Sequence, residues 1–454
     1  MQCPRCNAQL DDDTTFCGNC GHQVAPLQAK GATVSDKGEL DNDGYATVIS
    51  DQGSQRSALQ TPATPARNYV PPYVTPTLPI QRDMPSVSPQ PPTRRTNTGR
   101  IVLIAALVLL IIAGGSIGAA ILLKNNSSPK STTTGNTALV SNASGVVSFS
   151  DSLNGSGHSN VVSISVNGLA APPAGSQYNA WIVDTQSELS TGLGTLTRNS
   201  DGTYTAKSNH KQHNVLSLGN KVEVTLEQGS VSVPTGQLIL ATTFPPKAFV
   251  HIKHLLVSFP NTPGKIGLLV GLVDQTQRLS SASQLLQSIA GSGNTAAIQC
   301  SAQSIIDVIQ GTQGSNYQLL PNQCASQNIT EIGDSYGLLG TGGYIANGEA
   351  HASLAATQTD TTANIRLHAG HVAICLENVK GWITTIDQDA LALLNDPTNT
   401  AKVQEIVTLA NHALNGVDIN GDEKVDPVPG EGGAATAYFH GQLMATLVLT
   451  PGSQ

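Results

Sequence analysis

A multidomain architecture is predicted by three features of the 454-residue sequence. These are two C-x-x-C pairs within the first 20 residues, an uncharged run of 23 residues at 101–123, and a change in apolar period near residue 264. The period is two before that point and about 3.6 after it, the difference between pleated strands and amphipathic helices. In order, the chain reads as a metal-stapled head at 1–24, a Pro/Ser/Thr-rich disordered linker at 25–99 and a single transmembrane helix at 100–124. A polar stalk at 125–142, an all-β sandwich at 143–262 and a mainly α-helical bundle with an EF-hand-like loop at 264–454 follow.

Charge is divided unevenly about the apolar run. Residues 1–124 carry 10 Lys/Arg and 9 Asp/Glu, near +1, whereas the remainder carries 13 and 22, or −9. An acidic C-terminal part argues against nucleic acid and suits cations. Aromatic residues make up only 4% of the chain and charged residues 12%, a composition that fits a loop-rich, surface-exposed protein.

In the head, Cys3 and Cys6 form one C-x-x-C, and Cys17 and Cys20 form the other. Two such knuckles offer four thiolates to a tetrahedral Zn²⁺ at Zn–S of about 2.3 Å. A segment this short buries no core, so the metal must supply its folding free energy. The run CPRCNAQLDDDTTFCGNCG resembles the zinc-ribbon heads of many bacterial membrane proteins. That resemblance implies a structural zinc and a surface for protein contacts. The linker lacks a sustained apolar period and cannot offset the entropy of ordering itself.

Residues 101–123 make a helix of about 35 Å, enough to cross a hydrocarbon core of roughly 30 Å. The run lies too far in and is too long for a cleaved leader, so it is expected to act as its own signal anchor. Arg82, Arg94, Arg95 and Arg100 precede it, against Lys124 and Lys130 after it. The basic excess places the N-terminus in the cytoplasm and the C-terminal domains outside a cell membrane crossed once. Gly114 and Gly118 form a G-x-x-x-G, which permits close pairing into a homodimer, although glycines are also ordinary in single spans.

Beyond the stalk, alternating runs at 146–149, 161–166, 178–183, 222–226, 238–242 and 250–259 predict strands separated by turns such as Asp201-Gly202. Within 222–226, Val222, Val224 and Leu226 are expected on one face. The segments PPAGSQYNAWIVD (172–184), GLGTL (192–196) and VEVTLEQGSVSVPTGQLIL (222–240) resemble the outer domain of anti-sigma-K factors. The positions carried are Tyr178, Trp181, Asp184, Gly194, Glu227, Pro234, Thr235 and Gly236. The resemblance implies a sensor-like outer module. Those proteins have a helical sigma-binding domain where this chain has the cysteine knuckles.

Helical spacing recurs at 266–289, 295–309, 348–357, 364–385 and 401–414. His368 and His371, at i and i+3, share a helix face. His351 and His412 lie on neighbouring predicted helices and His440 near another, so His351, His368, His371 and His412 are candidate ligands for a metal or haem, with Glu349 and Glu377 in reach to assist. A weak echo pairs 301–305 with 368–372 and leaves the histidines in one copy. In the run DINGDEKVDPVPGE, Asp418, Asn420 and Asp422 take positions 1, 3 and 5 of a calcium loop. Lys424 would offer its carbonyl at position 7 and Asp426 its carboxylate at position 9. Glu423 replaces the usual glycine at position 6, and Glu431 comes two residues after the usual glutamate position. On an oxidising face Cys300 and Cys324 are the expected disulfide, with Cys375 free.

No nucleophile–base set is apparent, so enzyme activity is not expected. The function read from sequence is a membrane-anchored zinc-ribbon protein with an extracytoplasmic sensor or binding region. It would act by tethering or contact with a cytoplasmic protein, in a manner that includes anti-sigma-factor-like signalling. The alternative is an envelope protein holding a metal or haem with the bundle histidines.

Overall fold

The computed structural model describes residues 142–152 and 158–452. The cysteine knuckles, the linker and the run at 101–123 lie outside the described residues. Among the described residues no helix is long and apolar enough to cross a membrane.

A β-rich region is followed by a helical one. The strands are β1 (Ser144–Ser150), β2 (Val161–Asn167), β3 (Ser176–Asp184), β4 (Leu189–Thr195), β5 (Thr197–Arg198), β6 (Tyr204–Asn209), β7 (Lys221–Gln228), β8 (Gln237–Thr243) and β9 (Leu447–Pro451). The helices are α1 (Pro246–Leu256), α2 (Leu268–Ala290), α3 (Thr295–Gln310), α4 (Asn322–Ala325), α5 (Tyr344–Thr357), α6 (Ala363–Asn395), α7 (Thr400–Asn415) and α8 (Ala434–Met444). The strands form one antiparallel sheet in the order β4-β3-β7-β8-β9-β1-β2-β6-β5. The sheet coils over itself, and Tyr178 of β3 meets Tyr204 of β6 edge to face at 5.5 Å. Both hydroxyls donate to the carbonyl of Ala170 at 3.2 Å.

Strand β9 is the one that joins the two halves of the sheet. Its first residues pair with β1, Val147 opposite Leu447 and Gly145 opposite Leu449. Its last residues pair with β8, Ala241 opposite Thr450 and Leu240 opposite Pro451. A five-residue strand at the end of a helical region gives little periodic signal, and the sequence reading carries the bundle to residue 454. The structure instead returns the chain to the sheet, and one continuous apolar core runs from the strands into the helices.

One other local expectation is corrected. The stretch 250–259 reads as a strand because apolar and polar residues nearly alternate in VHIKHLLVSF, but Pro246 opens a helix there. Pro tolerates the first turn, and helical spacing buries Ala248, Ile252, Leu255 and Leu256. In β7, Val222, Val224 and Leu226 lie opposite Ile182, Ala180 and Tyr178 of β3 in an unbroken register, on one face as expected. Thr225 and Glu227 are buried on the opposite face, and the register shift of the β7–β8 pair falls in β8, where Val224 pairs with Leu240 and Thr225 with Leu238.

That opposite face gathers the residues singled out in 172–240. The Trp181 indole donates to the Thr225 hydroxyl at 2.8 Å, and Thr225 donates to the Glu227 carboxylate at 2.6 Å. Glu227 also accepts from the Thr235 amide at 3.0 Å and hydroxyl at 2.9 Å. The tight approach of the returning strand demands Gly236, where a Cβ would lie 1.9 Å from the Leu226 carbonyl oxygen. Burial works against the Glu227 charge, but the hydrogen bonds from Thr225, Gly236 and Thr235 outweigh it and hold the carboxyl below its ordinary value.

Asp151, just past β1, ties the sheet to α8. It accepts from the Tyr438 hydroxyl at 2.8 Å, the Gln442 amide at 2.6 Å and the Ser159 backbone at 2.7 Å. Tyr438 and Gln442 are one turn apart on α8, so a single carboxylate fixes the rotation of that helix.

Leu449→Asp should destabilise the β and α regions together by roughly 4 kcal/mol or more, since it buries an unpaired charge beside a lost core leucine. A single cooperative loss in thermal unfolding checks this; separate transitions for sheet and helices would contradict it. Glu227→Ala should cost about 1–3 kcal/mol at neutral pH by orphaning its donors. Because the folded-state pKa lies below the unfolded one, the contribution of Glu227 is present above the ordinary value of 4.5 and lost as pH falls below it. The gap between wild type and Glu227→Gln in melting temperature should therefore shrink on acidification.

Candidate metal centres

Helix α1 carries His251 and His254 at i and i+3, so both imidazoles leave the same face. Helix α5 crosses that face and brings His351 to them. The Nδ1 atom of His351 lies 3.0 Å from that of His251 and 3.3 Å from that of His254. Helix α6, a 33-residue rod of about 50 Å, repeats the arrangement with His368 and His371. Helix α8 supplies His440, whose Nδ1 lies 3.0 Å from that of His368 and 3.3 Å from that of His371. Ring separations agree as well. The pairs His251–His351 and His368–His440 are each 5.2 Å apart, and His254–His351 and His371–His440 are each 4.6 Å apart.

Three neutral imidazoles converging through Nδ1 cannot satisfy one another. Each ring has one N–H and one lone pair, so at least one pair of nitrogens meets lone pair to lone pair or proton to proton. A cation accepts all three lone pairs at once. With metal–nitrogen bonds of about 2.0–2.1 Å, tetrahedral ligands stand roughly 3.3 Å apart, close to the spacing found here. Burial keeps the rings neutral. It pushes His251 down to about 4, His254 to about 3 and His351 to about 2, the latter two further depressed by their neighbouring cationic or imidazole groups. It likewise pushes His368 to about 4 and His440 to about 3, and lowers His371. Six imidazoles that resist protonation are ready to bind metal at neutral pH.

The two triads differ in their surroundings. His251, His254 and His351 are only 2%, 4% and 5% exposed. The Phe259 ring packs on His351 at 5.1 Å and on His254 at 5.5 Å. The Gln358 amide lies 3.2 Å from Nε2 of His251, an outer contact that fixes the ring with Nδ1 inward. In the second triad only His440 is buried, and His368 and His371 are half-buried. Close packing of α8 requires Gly441, since a Cβ there would lie 2.6 Å from Leu269.

The sequence reading grouped His351, His368, His371 and His412. The structure divides them. His351 joins the first triad and His368 and His371 the second, while His412 stands apart with its ring 5.7 Å from that of Trp382. Glu349 and Glu377 both face Lys380, not a triad. His251 and His254 were missed because a strand would send i and i+3 to opposite faces. The true echo is HIKH at 251–254 with HAGH at 368–371, and HASLAAT at 351–357 with HGQLMAT at 440–446. Four of the last seven positions are identical, and histidines occupy both copies; the pairing of 301–305 with 368–372 is not the structural one, since the former lies within α3 and holds no histidine.

In the acidic loop, Asp418 accepts from the amides of Gly421 at 2.7 Å and Glu423 at 2.8 Å. Asn420 accepts from Asp422, and Asp422 from Lys424. Glu423 has φ of 67°, the left-handed conformation for which glycine is usual at this loop position. Oxygens of Asp418, Asp422 and the buried Glu431 lie within 4.8 Å of one another. Asp426 contributes its backbone amide to Glu431. Cys300 and Cys324 are joined as a disulfide with Cα atoms 5.5 Å apart, and Cys375 is buried and free, its thiol pushed by burial to about 12.

Residues 2–24 match the zinc-ribbon domain family. The four candidate thiolates Cys3, Cys6, Cys17 and Cys20 fall within that match. No curated protein and no solved structure matches the chain.

Proposed function

We propose that this chain is a membrane-tethered metal-binding protein. Its zinc ribbon makes protein contacts on one side, and its C-terminal domain holds one transition-metal ion in each histidine triad on the other. The observation that carries this reading is the convergence in two separate places of three imidazoles, the central Nδ1 lying 3.0 and 3.3 Å from the other two and the ligand atoms of each triad all within 4.8 Å of one another. Imidazole donors suit zinc, copper, iron or nickel. Three rings at this spacing leave no room for a porphyrin plane between them, which favours a single ion over haem.

The tether rests on the apolar run at 101–123 and the basic residues before it. Contact with a cytoplasmic partner through the ribbon, including an anti-sigma-like one, rests on the resemblances alone. A calcium ion at Asp418, Asn420, Asp422, the Lys424 carbonyl, Asp426 and Glu431 is a further part of the proposal. The positive φ of Glu423 and the grouped carboxylates support it.

Metal analysis of the detergent-solubilised full chain should find two transition ions besides the ribbon zinc. His351→Ala and His440→Ala should each lose one, and His412→Ala none. Unchanged metal content in both triad variants would refute the reading. Calcium should raise the melting temperature of the same protein relative to chelator, and Asp418→Asn should abolish the difference; an identical midpoint in both conditions removes the calcium ion from the proposal.

A further inference from the structure

The two triads offer the same donors at the same spacing, so any difference in what they do must come from what surrounds them. We propose that His251, His254 and His351 form a closed site that retains its ion, whereas His368, His371 and His440 form an open site whose ion takes an exogenous ligand: a small organic molecule with one nitrogen, oxygen or sulfur donor and an apolar body. This rests on the metal-binding reading above and goes beyond it.

Three histidines fill three of four tetrahedral positions. A fourth position left to water or substrate separates working sites from structural ones. At the first triad that position is walled in. All three rings are buried, the Phe259 ring covers two of them, and Gln358 holds the third from outside. A donor from solution has no way to reach the ion without moving Phe259 or separating α1 from α5.

At the second triad two of the three rings reach solvent. The rim is apolar: Leu367 is 55% exposed and Phe439 37% exposed, each adjacent in sequence to a ligand. The Phe439 ring stands 5.5 Å from that of His440. Apolar surface kept in water beside a metal position costs free energy that a bound apolar body would recover. The donor atom would bind the ion while the body rests on Leu367 and Phe439. Helix α8 itself is immobilised by the bonds of Tyr438 and Gln442 to Asp151, so the open site is preformed.

The test uses the full chain in detergent, loaded with Co²⁺, whose visible bands report coordination. Imidazole should shift the bands, and 4-phenylimidazole should do so at lower concentration. The shift should persist in His351→Ala and vanish in His440→Ala. Phe439→Ala should erase the advantage of the phenyl group while leaving imidazole binding in place. A chelator should strip one ion about tenfold or more faster than the other, because the surrounding shell governs access. Should His351→Ala fail to fold, Phe259→Ala serves instead, speeding loss of the slow ion only. Two loaded ions that leave at one rate, or a band shift that survives His440→Ala, would overturn the division between sites. Failure to load any Co²⁺ at the triads would instead sink the metal-binding reading itself.

Discussion

The pairing of β9 with β1 on one side and β8 on the other is the constraint on which the rest of the structure depends. It closes the sheet with residues that follow the whole helical region, so neither region is complete alone. Backbone hydrogen bonds of a central strand have no alternative partner in a buried setting, and Leu447 and Leu449 carry core surface into the same place. The helix just before β9 is α8. Its position is thereby fixed from its C-terminal end, while Asp151 fixes its rotation through Tyr438 and Gln442. His440 is placed by both.

The same scaffold positions both triads with the same spacing. The first lies between α1, which continues directly from β8, and α5. The second lies between α6 and α8, at the end of the chain. Both use one helix turn to bring two rings together and a second helix to supply the third. Glycines seat the second helices against other helices: Gly441 of α8 lies against Leu269 of α2, and Gly348 of α5 against Leu376 of α6. Identical chemistry thus sits in two environments, one dry and one facing water, and environment sets access, proton affinity and exchange at a metal.

The buried network of Trp181, Thr225, Glu227 and Thr235 gives the conspicuous sequence of 172–240 a structural meaning. Each of these side chains satisfies another, and Gly236 allows the backbone approach that makes it possible. The residues that resemble an outer sensor domain are thus the fastenings of a β-hairpin. The converging histidines lie outside that segment.

The sequence by itself determined what local chemistry determines. The C-x-x-C pairs gave the zinc ribbon, alternation gave most strands, and i, i+3, i+4 spacing gave α2, α3 and α7 nearly to their ends and α5 without its first four residues. His368 and His371 were legible as a pair because one helix turn separates them. Only the tertiary structure decided their partner, because His440 is 69 residues further on from His371 and nothing local links the two. It also decided the first triad. VHIKHLL alternates closely enough to suit a strand, and only packing of Ile252 and Leu256 into the common core selects the helix that turns His251 and His254 to one side. The same reason holds for β9: five residues have little preference of their own, and their place is set by the two open strand edges that wait for them.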